Sequence, residues 1–418
     1  MRISKRLSAM EDPSSKADSP RVLRVLEALK QASHQLQSHP SPNSSELNSS
    51  SAINALLELE TESDAILSKD PNLSALSQHL SDLKALVDTL HKSHGHHTLK
   101  SFLTRRASTH SISRVAASIE SEIQAWIDRK SIETLTGVLR DCQKQPFNNE
   151  DELINLLTQF EDRVSQGFNR ELQDLVLKSK LFSLLESILC NPNSPKRIRE
   201  RCAFAITELI RFNKDVFVGQ VLMGRTIGSL ITMASSASIK VLCSLIRSIK
   251  SPLVDEIESH GGIPKIINLL DFQDLELRVL AMDCVLEIGY FGRKEAIEAM
   301  LREGLIRKLV ELQRSELGGA LIDMGRNGSS NGGENEEVGV GVGGVEGKRG
   351  SRERSFLERH PFASCVARFA VQLEVGEGLR QRERRAFKQE ILVRVREACA
   401  SDAEAATIIA EVLWGSSP

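Results

Sequence analysis

The chain has 418 residues, 54 of them basic and 56 acidic, for a formal charge of −2. No overall field draws it toward nucleic acid or an anionic membrane surface. Apolar residues make up 40% but aromatic ones only 4%, a Leu, Ile and Ala-weighted balance that favours helices and argues against an all-β sandwich.

Residues 1–19 read as a disordered N-terminus. They are basic up to Met10 but continue Glu11, Asp12, Pro13, so no secretory signal is expected. From residue 20 to 145 short amphipathic helices alternate with Ser, Pro and His-rich breaks, the clearest linker being Pro40 to Ser51. Leu23, Leu26 and Leu29 form one apolar stripe, Leu56, Leu59, Ile66 and Leu67 a second, and Leu76, Leu80, Leu83, Val87 and Leu90 a third. The most regular stripe is the fourth, Ile112, Val115, Ala116, Ile119, Ile123, Trp126 and Ile127, which runs along about four turns of helix. Four such faces need one another, which predicts a helical bundle. Between them His91, His94, His96 and His97 crowd one stretch, but no second ligand pair follows at metal-site spacing, so a polar loop is expected and no metal. Arg105-Arg106-Ala107-Ser108 suits a basophilic kinase. Phosphate on Ser108, just ahead of the Ile112 helix, would sit where the helix dipole favours it.

From 150 to 317 the helices become self-similar. One unit begins His260-Gly261-Gly262-Ile263-Pro264, continues through Ile266, Ile267, Leu269 and Leu270, and closes with a longer helix, Asp274 to Tyr290, that turns Leu277, Ala281 and Val285 inward. Its successor starts at Gly304, 42 residues after Gly262. Weaker earlier copies place Leu184-Leu185 and Leu230-Ile231 where Ile266-Ile267 stand, with uneven steps of 46 and 36 residues. Glycine ends a short helix where φ must be positive, and proline opens the next one where no N–H is needed. Residues 318–355 predict a Gly-rich disordered insertion, with twelve of the 26 glycines between Gly318 and Gly350. Residues 356–414 predict a last repeat and a C-terminal cap. Trp126 and Trp414 read as core anchors.

Gly262-Ile263-Pro264-x-Ile266-Ile267-x-Leu269-Leu270, with Val279-Leu280-Ala281 and Val285-Leu286-x-Ile288 after it, resembles the armadillo repeat. The resemblance covers about Gly167 to Leu317, and it implies an all-α fold: an N-terminal helical bundle followed by an armadillo-type α-solenoid, a superhelix of helix triplets. The Ser113-Arg114-Val115-Ala116 to Trp126-Ile127-Asp128 segment is similar to the N-terminal domain of plant armadillo proteins, including those that carry a U-box. The Cys-Pro-Ile and Asp-Pro-Val signature of a U-box occurs nowhere here, so ligase activity does not follow.

Catalytic and cofactor chemistry find little purchase. Gly347-Lys348 invites a phosphate-loop reading, but Val342 replaces the first glycine and Arg349 the magnesium-binding hydroxyl. No nucleophile or zinc-helix motif occurs, so no catalytic residue and no cofactor are expected. Arg380, Arg382, Arg384, Arg385, Lys388, Arg394 and Arg396 alternate with Glu377, Glu383, Glu390 and Glu397, the pattern of a solvated, ion-paired face and not of a nucleic-acid surface. Seven scattered cysteines with no C-x-x-C pair predict reduced core thiols and a cytoplasmic or nuclear address. No apolar run approaches the roughly 20 residues a bilayer requires, so a soluble protein without stable membrane insertion is expected.

The resemblance implies protein partners, bound as peptide segments in the concave groove lined by the third helices. Aligned on the Ala and Ile anchors, the groove positions are Phe204 and Glu208, Ser244 and Ser248, and Asp283 and Glu287, with Arg211, Arg247 and Tyr290 beside them. The Trp and Asn ladder of nuclear-import receptors is missing. The carboxylates predict a groove that prefers a basic segment; the arginines and Tyr290 are the alternative, suited to an acidic or aromatic one. The function implied is a non-catalytic scaffold or adaptor, with a substrate-receptor or regulatory role in ubiquitin ligation as the second possibility.

Overall fold

The structure is a computed structural model that describes residues 74–93, 99–144, 150–319 and 359–414. Every regular element among them is helical. In chain order the first are α1 (Ser74–Ser93), α2 (Leu99–Lys144), α3 (Glu150–Ser165) and α4 (Arg170–Ser179). The chain forms two compact units, one containing residues up to Gly137 together with Asn169–Ser179, the other Val138–Phe168 and everything from Lys180 onward.

In the first unit α1 buries Leu76, Leu80 and Leu83, the third stripe expected from the sequence. In α2 the fourth stripe is buried at Ala116, Ile119, Ile123 and Trp126 and continues at Ile132 and Leu135. Asp128 interrupts it and is itself buried, accepting a 2.6 Å hydrogen bond from Gln124 Nε2 one turn earlier. The helix is 46 residues long and starts at Leu99, not near Ile112. Its sequence holds no Gly or Pro between Leu99 and Thr136, so nothing breaks the ladder of backbone bonds. α4 is capped by Asn169, whose Oδ1 accepts from the Leu172 N–H at 2.9 Å. The two earlier stripes, the Pro40 to Ser51 linker, and the Val87, Leu90 and Ile112 side chains lie outside the described residues.

The second unit is built from helix triplets. α5 (Leu181–Cys190) and α6 (Lys196–Phe212) precede a full triplet of α7 (Lys214–Met223), α8 (Thr226–Met233) and α9 (Ser236–Ile249). The next is α10 (Ser251–Ser259), α11 (Gly262–Asn268, prolonged by a 3-10 turn over Leu269–Asp271) and α12 (Leu275–Phe291). Then come α13 (Lys294–Arg302), α14 (Leu305–Arg314) and α15 (Cys365–Val375), followed by α16 (Gln381–Ala398) and α17 (Asp402–Trp414). The third helices stack in sequence: α3 on α6, α6 on α9, α9 on α12, α12 on α15. The second helices α5, α8 and α11 do the same, as do the first helices α7, α10 and α13. Each triplet therefore covers its apolar face only with the next one, the defining arrangement of an armadillo-type α-solenoid. α16 packs on α14 and α17 on α15, so two helices cover the far end of the stack.

The turn into each second helix shows how the sequence builds the sharp corner. Lys180, Gly261 and Gly304, immediately ahead of α5, α11 and α14, all have left-handed φ, at 57°, 61° and 77°. The glycine equivalent to Gly304 is thus Gly261, one residue earlier than the repeat spacing suggests. Gly262 is already helical and is needed for space: a Cβ there would lie 2.7 Å from Ile231 Cδ1 and 2.9 Å from the Ile257 carbonyl. α8 enters differently. Glu186, on α5, places Oε1 to accept from the Arg225 N–H at 2.8 Å, the Thr226 N–H at 3.1 Å and the Thr226 hydroxyl at 2.8 Å, so a side chain one repeat away caps the helix.

The third helix α12 is capped by Asp274, which accepts from the Glu276 N–H, and it buries Leu277, Ala281, Val285 and Ile288 as the sequence predicts. Trp126 is buried, but Trp414 is not an anchor: it is 88% exposed. α17 turns Ala405, Ile408 and Val412 inward, and a residue two positions past Val412 points away from that stripe.

Candidate functional site

The third helices present one row of side chains that their own core does not consume. On α6 the residues Arg201, Phe204, Glu208 and Arg211 fall at spacings of three and four, between the buried Cys202, Ala205, Ile206 and Leu209. α9 contributes Ser244, Arg247 and Ser248, and α12 Asp283, Glu287 and Tyr290, each at least partly exposed. All nine positions expected from the sequence therefore lie on one helix face of consecutive layers.

The groups on this row are bonded across the layers. Arg211 donates from Nη1 to Glu208 Oε1 at 2.5 Å and from Nη2 to Ser244 Oγ at 2.9 Å, tying α6 to α9. Arg247 donates from Nε to Glu287 Oε1 at 2.6 Å, tying α9 to α12, and the bond holds the guanidinium even further above its ordinary value. Ser248 turns its hydroxyl back to the Ser244 carbonyl at 2.9 Å, as helical serines do. Tyr290 stands edge-on to Phe291, with ring centroids 4.7 Å apart. Its carbonyl accepts from the Gly378 N–H at 3.1 Å. In the same loop Glu377 takes an ion pair from Lys250 at 2.9 Å.

Three further residues, Thr158, Glu161 and Arg368, adjoin the row. Arg201 bridges α6 to α3, with Nη2 3.2 Å from Glu161 Oε2 and a hydrogen bond to Thr158 Oγ1, while its guanidinium lies 5.9 Å from the Phe204 ring centroid. Arg368 on α15 sits near Asp283 and donates to the Pro361 carbonyl at 2.7 Å. The sequence held a signal for Glu161: it precedes Arg201 by 40 residues, the same step that links Arg247 to Glu287. Reading only within each repeat hides it.

Burial pushes Glu161 up to about 7, with Arg201 pulling it down and Glu208 and Asp162 adding to the rise. One of its oxygens, Oε1, is buried without a hydrogen-bond partner. Asp283 is also raised by burial, against the lowering pull of Arg368 and Arg247. Glu208 and Glu287 each already accept a hydrogen bond from an arginine of this row, and Asp283 is half-buried.

The remaining expectations fall elsewhere. Ser108 lies within α2, nine residues past its start, so a phosphate there would not meet a helix N-terminus; its side chain lies outside the described residues. The same holds for His91, His94, His96 and His97 as ligands, and for Val342, Gly347, Lys348 and Arg349. Among the described residues no group of three His, Cys, Asp or Glu side chains is placed to hold a metal ion. No single described helix is long and apolar enough to cross a membrane; α7 and α8 reach that length and composition only together, and they are bent by 67°. The basic C-terminal helix is ion-paired: Lys388 bonds Glu374 at 2.9 Å, and Arg394 bonds Glu390 and the Leu301 carbonyl. Arg384 donates to the carbonyls of Leu379, Glu374 and Gly376.

No family model and no curated protein matches the chain. Among solved structures it is similar to the designed armadillo repeat protein YIII(Dq)4CqI, at 14% identity over 67% of this chain and 99% of that one, with a TM-score of 0.39. It is similar too to a computationally designed armadillo repeat protein for modular peptide recognition, at 14% identity, 68% and 98% coverage and a TM-score of 0.40. A third is a designed armadillo repeat protein in complex with the peptide (KR)4, at 14% identity, 67% and 99% coverage and a TM-score of 0.38. Here the all-α, armadillo-type assignment rests on the triplets and on the order in which they stack.

Proposed function

We propose that this protein is a non-catalytic interaction scaffold that holds partner polypeptides along the face made by α6, α9 and α12. The observation that carries the reading is that this row of polar and charged side chains spans consecutive layers, where each helix otherwise buries its surface against its neighbours. A regular series of donors and acceptors along stacked helices suits an extended segment, which brings its own unsatisfied backbone groups. Each shifted carboxylate is held beside an arginine, Glu161 by Arg201 and Asp283 by Arg368 and Arg247, which suits recognition better than general acid-base chemistry. A cytoplasmic or nuclear setting accords with the unpaired thiols. The ubiquitin-linked alternative draws no support from the described residues.

A photo-crosslinking amino acid at Tyr290 tests the reading against the same group at Lys265, an exposed position on the second helix α11. Partner polypeptides captured from Tyr290 and not from Lys265 are the expected result. Equal capture from both positions, or capture from Lys265 alone, would refute a docking role for the third-helix face.

A further inference from the structure

The charges of the third-helix face are layered in depth. The Arg211 side chain is 56% exposed and Glu208 19%; Arg247 is 58% exposed and Glu287 21%. Each recessed carboxylate already accepts a guanidinium N–H, and Asp283 is half-buried in the field of Arg368 and Arg247. A partner lysine or arginine reaches these carboxylates only past a like charge, which disfavours it. A partner carboxylate meets the opposite situation. A guanidinium has five N–H donors; Arg211 uses Nη1 and Nη2 for Glu208 and Ser244, and Arg247 uses Nε for Glu287. The outward edges keep donors in the planar arrangement that carboxylates match.

Spacing narrows the partner further. Arg211 and Arg247 stand on α6 and α9, consecutive layers of the stack, and packed helices lie about 8–10 Å apart. A polyproline-II chain rises about 3.1 Å per residue with three residues per turn, so its side chains return to one side about every 9 Å. We propose that the third-helix face recognises an extended acidic segment, with a carboxylate at every third residue seated on Arg211 and Arg247. This deepens the scaffold reading and rests on it.

Fluorescence polarisation of the full chain with labelled peptides of repeating Glu-Pro-Ala, Lys-Pro-Ala and Gln-Pro-Ala separates the two. The Glu peptide is expected to bind about tenfold or more tightly than the others, and to weaken with added salt. Arg211→Gln with Arg247→Gln should remove that advantage, and Glu208→Gln with Glu287→Gln, which removes two competing negative charges from the arginines, should strengthen Glu-peptide binding. Equal or tighter binding of the Lys or Gln peptide would overturn the charge assignment and leave the docking face standing. Glu-peptide binding untouched by both double variants, each checked for native helicity, would overturn its placement on these arginines. Binding of none of the three would overturn the scaffold reading together with this one.

Discussion

Glu161 is the residue where local physics is most exposed to test. Its carboxyl is driven up to about 7 by burial, so the folded chain holds that proton more tightly than the unfolded chain does. Stability from this group is therefore present at low pH and declines as pH rises from the ordinary carboxylate range through about 7. Urea unfolding at about pH 5 and about pH 8 should show a smaller pH-dependent loss for Glu161→Gln than for the unaltered chain; identical losses would mean that the carboxyl is solvated. The cysteines give a second check. Cys202, Cys243, Cys284 and Cys365 are buried, while Cys142, Cys190 and Cys399 are half-exposed. Burial raises the thiols of Cys202 and Cys365, the latter to about 12, and a thiol is a poor nucleophile. Iodoacetamide should modify the three half-exposed cysteines first and the four buried ones only on unfolding. The sequence anticipates core thiols, but α-helical period alone does not separate the buried four from the other three.

At the scale of the element, caps and corners decide what could be read ahead of the structure. α12 was legible because its signals are local: Asp274 caps it, and Leu277, Ala281, Val285 and Ile288 recur at helical spacing. α8 was legible through Leu230-Ile231 but its start was not, since its cap is Glu186, roughly one repeat upstream, and the start of α2 was hidden because residues 104–111 hold Ala107 as their one apolar side chain. Glu186→Ala should cost about 1–2 kcal/mol by orphaning buried donors at the start of α8, measured by denaturant unfolding. The left-handed corner supplies a matched pair. Lys180→Gly relieves a side chain at φ 57° and should stabilise by about 1 kcal/mol, while Gly262→Ala should destabilise by about 1–3 kcal/mol, because its Cβ would press on Ile231 and the Ile257 carbonyl. Reversal of those two signs would show that the corner register is displaced by one residue.

Over the whole molecule, the net charge of −2 conceals an ordered arrangement of charge. The sequence expects nine face residues on successive helices, and its spacing carries no sign that Glu208 and Glu287 are engaged by arginines. Whether Glu287 is open depends on Arg247, 40 residues away, and on which of the two stands outward, a matter of side-chain packing that spacing does not carry. Once the layers are stacked, Glu208 and Glu287 recede while Arg211 and Arg247 stand outward, which is the ground of the proposed preference for an acidic segment. The same stacking makes each layer's surface depend on its neighbours, so the face exists only in the assembled solenoid.

Hydrogen–deuterium exchange of the full chain with and without the Glu-Pro-Ala peptide tests this most directly. The account predicts added protection in α6, α9 and α12, with α5, α8 and α11 unchanged; protection confined to those second helices, or to α16 and α17, would contradict it.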